Sequence, residues 1–423
     1  MAPPSGMHVL QINKFFYERG GTERYFFSVS RALEKRGHTV IHFSMQHPEN
    51  LDSPYADYFV SQKDYANRGG GFGDVPSGIS FVRSREAAKN LARLIDETRP
   101  DVAHLHNIYH QITPSIIPVL RGARVPVVMT LHDHKLICPN YSLFDGESYC
   151  YRCRGGRFHR AAAVRCNEGS FKRSLLLSVE AYWQKLTRVY DGVRFFLAPS
   201  RYLREMFLAE GYSTDRVVYL PPFVETGEDL GGAAARERGE IAAARLAKRY
   251  ILYFGRLGAE KGLFTLLEAV SRVDVPLVVC GAGPLQGVLT ERVARIGGGR
   301  VHFTGHLDKK ELDGVVRAAA AVVLPSICAE NAPYTVLEAM AAGVPTIVSN
   351  TGGLPELVLA GGGLVFAAGN ASELETRIRE LWENPALGEE IGLRGKRFVE
   401  EGLTEKRHVE ELETVYQRAV DAR

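Results

Sequence analysis

No stretch of this 423-residue chain approaches the roughly 20 consecutive apolar positions that a membrane-spanning helix needs. The N-terminus, M-A-P-P-S-G-M-H-V-L-Q-I, also lacks a basic region followed by an apolar core, so no secretory leader is expected and the cytoplasm is the expected location. The dinucleotide fingerprint G-x-G-x-x-G is missing after the first apolar run, where only the pair Gly20-Gly21 stands. Cysteine is scarce: there are six, and four of them (Cys138, Cys150, Cys153 and Cys166) fall close together, which in a cytosolic chain suggests a metal more than disulfides. Net charge is only +3, yet it is divided unevenly. Up to Pro222 there are 29 basic and 21 acidic residues, and beyond it 23 and 28. A basic first half suits an anionic acceptor or membrane surface, although an excess of this size is often just a solvated face.

What is present reads as α/β. The length and an ordinary 45% hydrophobic content allow two or three domains. Short apolar runs at residues 8–12, 39–45, 102–106, 125–131, 195–198 and 217–220 alternate with helical patterns such as 22–36, 85–98 and 170–190, which implies a mainly parallel sheet. Pro221-Pro222 then reads as a hinge, and residues 225–248 as a polar, alanine-rich linker. A second strand-and-helix series follows, with strands at 250–254, 277–281, 301–305, 321–324, 346–349 and 364–366 and a last helix near 405–422. The expected architecture is therefore two doubly wound domains, 1–222 and 223–404, with the last helix packing back on the first.

Three places carry candidate chemistry. After the run Ala321–Leu324, Pro333 stands in the first turn of a helix ended by Gly343 and Pro345, so N–H groups around Tyr334, Thr335 and Val336 lie free at a strand's carboxyl end, where an anion docks well. Glu330 and Glu338 frame that helix start and suit hydroxyl groups on either side of a phosphate, as a nucleotide sugar offers; taken alone, the pair is better explained as a capping and a solvated carboxylate. Arg256 and Lys261, in G-R-L-G-A-E-K-G, bracket a loop after another strand and would neutralise a pyrophosphate, or form an ordinary surface pair. His132, in L-H-D-H-K, ends a first-half strand and faces either a sugar hydroxyl or its own loop.

The segment Cys138–Cys166 carries a C-x-x-C pair with one further cysteine on each side, the ligand count of a tetrahedral structural zinc site. It is rich in arginine and runs into a helix bearing Leu175, Leu176, Leu177, Val179, Tyr182, Trp183 and Leu186. Such a helix either faces a core or rests with its basic neighbours on a membrane.

Taken in order, G-G-T-E at Gly20, H-D at His132, G-R-L-G-A-E-K-G at Gly255, G-A-G-P at Gly281 and E-x7-E from Glu330 to Glu338 make the chain resemble the retaining glycosyltransferases of family 4, which have the GT-B fold. The stretch H-D-x-K-L-I-C-P-N with its cysteines is similar to a subgroup of bacterial polysaccharide and lipopolysaccharide assembly. The resemblance implies a nucleotide-diphosphate sugar as donor, a glycan or lipid-linked acceptor, and no cofactor needed for catalysis. It gives Arg256 and Lys261 the donor phosphates, Glu330 the sugar hydroxyls and Glu338 the ribose. Asn331, Ala332, Pro333, Tyr334 and Thr335 form the loop at sugar and pyrophosphate, Gly20 and Gly21 the loop facing it, and His132 stands near the transferred sugar. Where the family often has glycine-phenylalanine-glycine, this chain has Asn331-Ala332-Pro333, which bears on which sugar is taken. Two other readings stay open: a sugar phosphorylase or nucleotide-sugar epimerase of the same fold, and a nucleic-acid-binding cysteine cluster. A cofactor absorption band would mark a phosphorylase and a steep salt-dependent gel shift a nucleic-acid binder.

Overall fold

The computed structural model describes residues 6–62, 81–225, 246, 248–295 and 299–423. Two six-stranded sheets organise them. The first contains β1 (His8–Ile12), β2 (Thr39–Phe43), β3 (Val102–Leu105), β4 (Val127–Thr130), β5 (Val193–Ala198) and β6 (Val217–Tyr219) in the order β2-β1-β3-β4-β5-β6. The second contains β7 (Ile251–Phe254), β8 (Leu277–Cys280), β9 (Val301–Gly305), β10 (Ala321–Leu324), β11 (Thr346–Ser349) and β12 (Gly363–Phe366) in the order β12-β11-β10-β7-β8-β9. All pairings between these strands are parallel, so helices must carry the chain back across the sheet faces, and the strands need apolar residues on both sides. β3, β4, β7, β8, β10 and β11 are buried at every position. The result is two Rossmann-like, doubly wound domains facing each other across a cleft, the GT-B architecture.

The strand order fixes where a ligand can sit. In the first sheet the chain leaves β1 for β2 on one side and continues through β3 on the other; in the second it winds from β7 out to β9, then returns to β10 on the opposite side. Crevices therefore open at the carboxyl ends of β1 and β3 and of β7 and β10, the places where the winding reverses.

The last helix, Glu405–Asp421, lies against the helix Gly21–Lys35 and against β3, β4 and β5, so the chain's end belongs physically to the first lobe. Val409, Leu412, Val415 and Tyr416 pack among Val9, Tyr25, Val128 and Phe195. Arg36 grips Glu413 with two hydrogen bonds, Nε to Oε1 at 2.7 Å and Nη2 to Oε2 at 2.9 Å, the fork geometry that suits arginine and carboxylate. Elsewhere the lobes also touch: Glu356, on the short helix Leu354–Val358 of the second lobe, accepts the backbone N–H groups of Arg201 (2.8 Å) and Tyr202 (3.2 Å) in the first turn of the first lobe's helix Arg201–Ala209.

Several boundaries differ from expectation. The helices Leu263–Ser271, Gln286–Arg295 and Lys309–Arg317 are additions to the sequence reading, each filling a crossover. The helix expected over 170–190 runs Phe171–Thr187, stopped by Arg188 in a left-handed conformation. The core-facing expectation holds for part of its apolar set: Leu177 and Ala181 are buried, and Leu176 and Trp183 pack with Phe81 and Val82. Ser174, Ser178, Glu180 and Gln184 are buried, while Phe171, Leu175, Val179, Tyr182 and Leu186 form an exposed stripe along one side. The inward polar face follows from Glu180, which takes Lys135 Nζ at 2.7 Å and Gln184 Nε2 at 3.1 Å inside the lobe. Most of the linker expected over 225–248, and the glycine-rich part of the loop expected over 53–78, lie outside the described residues.

Candidate active site

The helix Tyr334–Ala341 begins at the mouth of the second crevice with Pro333 as its cap residue and no side chain bonding its first turn. Val336 N–H is taken by the Pro333 carbonyl at 3.1 Å, so of the three N–H groups expected to be free, those of Tyr334 and Thr335 head the helix. Gly262 shapes the neighbouring wall. It is left-handed (φ +66°), and a Cβ there would lie 1.9 Å from the Pro325 carbonyl oxygen, so only glycine lets the loop after β7 run this close to the end of β10.

Lys261 stands just before it and meets Glu330 across the crevice, Nζ to Oε1 at 2.5 Å, while Ser326 Oγ donates to the same oxygen at 2.6 Å. Burial raises the Glu330 carboxyl, but Lys261 and Ser326 more than offset it and hold it below the ordinary glutamate range. For Lys261 burial acts downward and Glu330 more than offsets that, leaving the ammonium above its usual value. The charged pair is thus the stable form at neutral pH. Arg256 is different: it is exposed and is held by Glu260 one turn along.

The first lobe supplies the opposite wall. Gly20 is the cap of the helix Gly21–Lys35, and a Cβ on Gly21 would stand 3.5 Å from the Tyr334 ring, ordinary contact distance. Arg24, one turn later, pairs with Glu338 and lays its guanidinium over the Tyr334 ring, 4.8 Å from the centroid. Asn331 Nδ2 donates to the His132 carbonyl at 3.0 Å, and the His132 ring lies beside His106, Nε2 to Nδ1 at 2.9 Å. Burial pushes the His132 imidazole down to about 3, so it is neutral. Beneath this wall burial lowers Lys14 and raises Glu23 and Asp133. The hydroxyl of Tyr334 and Oδ1 of Asn331 are buried without a hydrogen-bond partner among the described residues.

The structure therefore brings Gly20, Gly21, His132, Arg256, Lys261, Glu330, Asn331, Ala332, Pro333, Tyr334, Thr335 and Glu338 to the two facing crevices. Sequence reasoning missed Arg24 and Ser326. Arg24 carried a signal, since it follows G-G-T-E at the first turn of a helix that opens on a binding loop; Ser326 had none beyond its place at a strand end. The four clustered cysteines are remote from this site in function but close to each other: Cys138, Cys150, Cys153 and Cys166 line one cavity of about 10 Å³ with Arg152 and Arg160. Burial pushes the thiols up, Cys138 to about 12 and Cys153 and Cys166 to about 11. As they stand, no three His, Cys, Asp or Glu side chains among the described residues are gathered so as to hold a metal ion.

Two facing doubly wound lobes with a cationic loop and an open helix start at the cleft define a GT-B glycosyltransferase. The second lobe matches the family described as glycosyl transferases group 1 over residues 237–398, and the first matches glycosyltransferase family 4 over residues 19–228. The chain thus belongs with the family 4-like glycosyltransferases. Among curated relatives, the D-rhamnosyltransferase WbpZ of Pseudomonas aeruginosa is 34% identical over 161 residues, 37% of this chain and 42% of that one. The GDP-mannose-dependent alpha-(1-6)-phosphatidylinositol monomannoside mannosyltransferase of Mycobacterium tuberculosis is 30% identical over 234 residues, 51% of this chain and 59% of that one. The chain thus spans about a third to two-thirds of the length of the curated relatives it matches. Among solved structures, sucrose-phosphate synthase of Thermosynechococcus elongatus superimposes with a TM-score of 0.70 at 17% identity, covering 99% of this chain and 100% of that one. HepE of Anabaena, in complex with UDP and glucose, gives 0.67 at 16%, covering 97% and 100%. These likenesses extend to the fold.

Replacing Lys261 by alanine leaves Glu330 buried without its counter-charge and is expected to cost roughly 3 kcal/mol near neutral pH. Its carboxyl then titrates above the ordinary value, so the loss shrinks as pH falls, whereas in the unaltered protein the pair's contribution is lost as pH falls through the depressed Glu330 value. Denaturant midpoints of both proteins measured across the acid range check the sign.

Proposed function

We propose that the protein is a retaining glycosyltransferase that moves a sugar from a nucleoside-diphosphate sugar to a saccharide or lipid-linked acceptor in glycan assembly. The observation that carries this reading is the convergence of Arg256, Lys261 and the uncapped start of the Tyr334–Ala341 helix at one crevice, opposite Gly21 and His132 of the other lobe. Arg256, Lys261 and the N–H groups of Tyr334 and Thr335 hold the diphosphate, Glu330 and the Asn331–Thr335 loop meet the sugar, and Glu338 takes the ribose. In the reaction the bond between the anomeric carbon and the phosphate oxygen breaks and its electron pair stays on the diphosphate, where the two cations and the helix dipole stabilise it; these groups supply that charge without a metal ion. The acceptor hydroxyl bonds to the anomeric carbon from the departing side and gives its proton to a phosphate oxygen. The relatives named as using GDP-mannose and the neighbour holding UDP and glucose make guanosine and uridine diphosphate sugars the first donors to try.

Arg256→Ala is expected to slow transfer by about a hundredfold or more. Because the side chain is exposed and held by Glu260 alone among the described residues, thermal stability should change by no more than about 0.5 kcal/mol. Turnover like that of the unaltered protein, with a donor whose binding raises the melting temperature, would remove Arg256 from the site.

We also infer that the first lobe rests on an anionic membrane surface. Among the described residues no helix is long and apolar enough to cross a membrane. The exposed stripe Phe171, Leu175, Val179, Tyr182 and Leu186 is instead accompanied by exposed Lys172, Arg173 and Lys185 on the same helix and Arg154, Arg157 and Arg165 beside it, an arrangement that fits the boundary between acyl chains and acidic headgroups. Binding to vesicles rich in phosphatidylglycerol should weaken with salt and with Leu186→Glu; salt-insensitive binding, or none, overturns this inference.

For the cysteines we retain a structural zinc: four thiols share one ion-sized cavity with two arginines able to offset thiolate charge, although they must turn inward to coordinate. Protein purified without added metal should carry about one zinc ion per chain and yield its four cluster thiols to alkylation only after chelation. Metal-free protein with all four thiols reactive would rule it out.

A further inference from the structure

From Thr130 a line of buried hydrogen bonds leads to the cleft, and beside it a shorter one joins the end of β6 to Tyr25. The shorter one begins at the Pro221 carbonyl, where the chain leaves the first lobe. His408 Nδ1 lies 2.8 Å from that oxygen, and His408 Nε2 lies 3.0 Å from the Tyr25 hydroxyl. The Thr130 side chain stands next to the Tyr25 hydroxyl. Thr130 Oγ1 is 2.7 Å from His104 Nε2, and His104 Nδ1 is 2.7 Å from the Tyr416 hydroxyl. Gln11 Nε2 reaches the Tyr416 oxygen at 3.4 Å, Gln11 Oε1 is 2.7 Å from His106 Nε2, and His106 Nδ1 is 2.9 Å from His132 Nε2.

The direction of the links follows from two groups of fixed role, the Pro221 carbonyl in the shorter line and the Gln11 amide in the other. Burial holds His104, His106, His132 and His408 well below the ordinary histidine value, so each ring is neutral and carries one proton. A carbonyl oxygen can only accept, so His408 must carry its proton on Nδ1 and accept at Nε2. The Tyr25 hydroxyl therefore donates to His408. In the other line the Gln11 amide donates through Nε2 and accepts through Oε1, so Thr130 accepts from His104 Nε2–H. His104 Nδ1 then accepts from Tyr416, which accepts from the Gln11 amide; Gln11 Oε1 accepts from His106 Nε2–H; and His106 Nδ1 accepts from His132. Reversing any one link would set two donors or two lone pairs against each other in a dry interior, which costs more than the hydrogen bond itself.

We propose that this line, oriented by the Gln11 amide and held by Tyr416 of the last helix, locks His132 as its Nε2–H tautomer and leaves Nδ1 as a bare acceptor for a ligand hydroxyl in the cleft. Nδ1 of His132 has no hydrogen-bond partner among the described residues, and the side chain is only half-buried. His132 is then built to accept a hydrogen bond from a sugar hydroxyl rather than to donate one, and a carboxylate in the same place meets a lone pair. Tyr416 and Gln11 are positioning residues, acting on the cleft through this line. This rests on the transferase reading only for the identity of the ligand; the tautomer does not depend on it.

The test is a two-bond proton–nitrogen correlation spectrum of the full chain labelled in its imidazole nitrogens, recorded without ligand near pH 7, about where an unperturbed histidine is half to mostly neutral. The expected result is Nε2–H for His104, His106 and His132 and Nδ1–H for His408 alone among the four. His132 as Nδ1–H, as a mixture, or as an imidazolium overturns the proposal. Tyr416→Phe cuts the line in the middle: His106 and His132 should become tautomer mixtures while His408 keeps Nδ1–H, and if both stay pure the lock does not run through Tyr416. Should that variant fail to fold, the spectrum of the unaltered protein still decides. Once a donor is known, Tyr416→Phe should lower kcat about fivefold, the weight of one neutral hydrogen bond, with the nucleotide's affinity unchanged. Failure of transfer with the predicted tautomers present would count against the transferase reading and not against the lock.

Discussion

The pairing of Lys261 with Glu330 is the constraint from which the second lobe's half of the cleft follows. Neither charge tolerates its position alone, because both are largely removed from water. Their mutual attraction, with the Ser326 hydroxyl on the same carboxylate oxygen, keeps two loops from different strands at a fixed separation at the reversal point of the sheet. A glycine must follow Lys261 for those loops to approach so closely, and the helix after Pro333 must begin without a side-chain cap for its first N–H groups to remain on offer. The site is thus a place where local stability is withheld. A capped helix and an apolar pair would make a sturdier lobe and a poorer anion cradle.

Much of this was visible in the chain itself, and the parts that were not share a cause. Strands buried on both faces announce themselves as apolar runs closed by glycine or proline, as Ala321–Leu324 does before Pro325, so the sheets could be read with their boundaries shifted by a residue or two. Crossover helices were legible too, though unread: Lys309–Arg317 has apolar residues at 312, 315 and 316 and the capping box of Asp308 and Glu311 before them. Lys261 and Glu330 lie 69 positions apart, and their contact is a consequence of strand order that no local pattern contains. The helix Phe171–Thr187 divides its apolar residues in a way no local pattern showed, since Glu180 is drawn inward by Lys135 while Leu177 stays buried and Leu175, Val179 and Leu186 face out. Likewise the four separate histidines of the two buried lines gave no hint of belonging together, because His408 joins the others only when the last helix folds back on the first lobe.

That return of the last helix couples regions that the linear order keeps apart. Tyr416 touches Gln11 and His104, Glu413 is held by Arg36, and His408 lies between Tyr25 and the chain segment that leaves the lobe. Residues at both ends of the sequence therefore meet in one core, and the wall of the cleft that bears His132 is set by contacts made outside the cleft.

The carboxylate of Glu356 caps a helix that belongs to the other lobe, taking the N–H groups of Arg201 and Tyr202. Prising the lobes apart would strand those two donors and strip the carboxylate of both partners, an initial resistance of about 1–2 kcal/mol that vanishes once the contact is gone. The joint accordingly behaves as a detent rather than a free hinge: it resists the first ångström of travel, then swings.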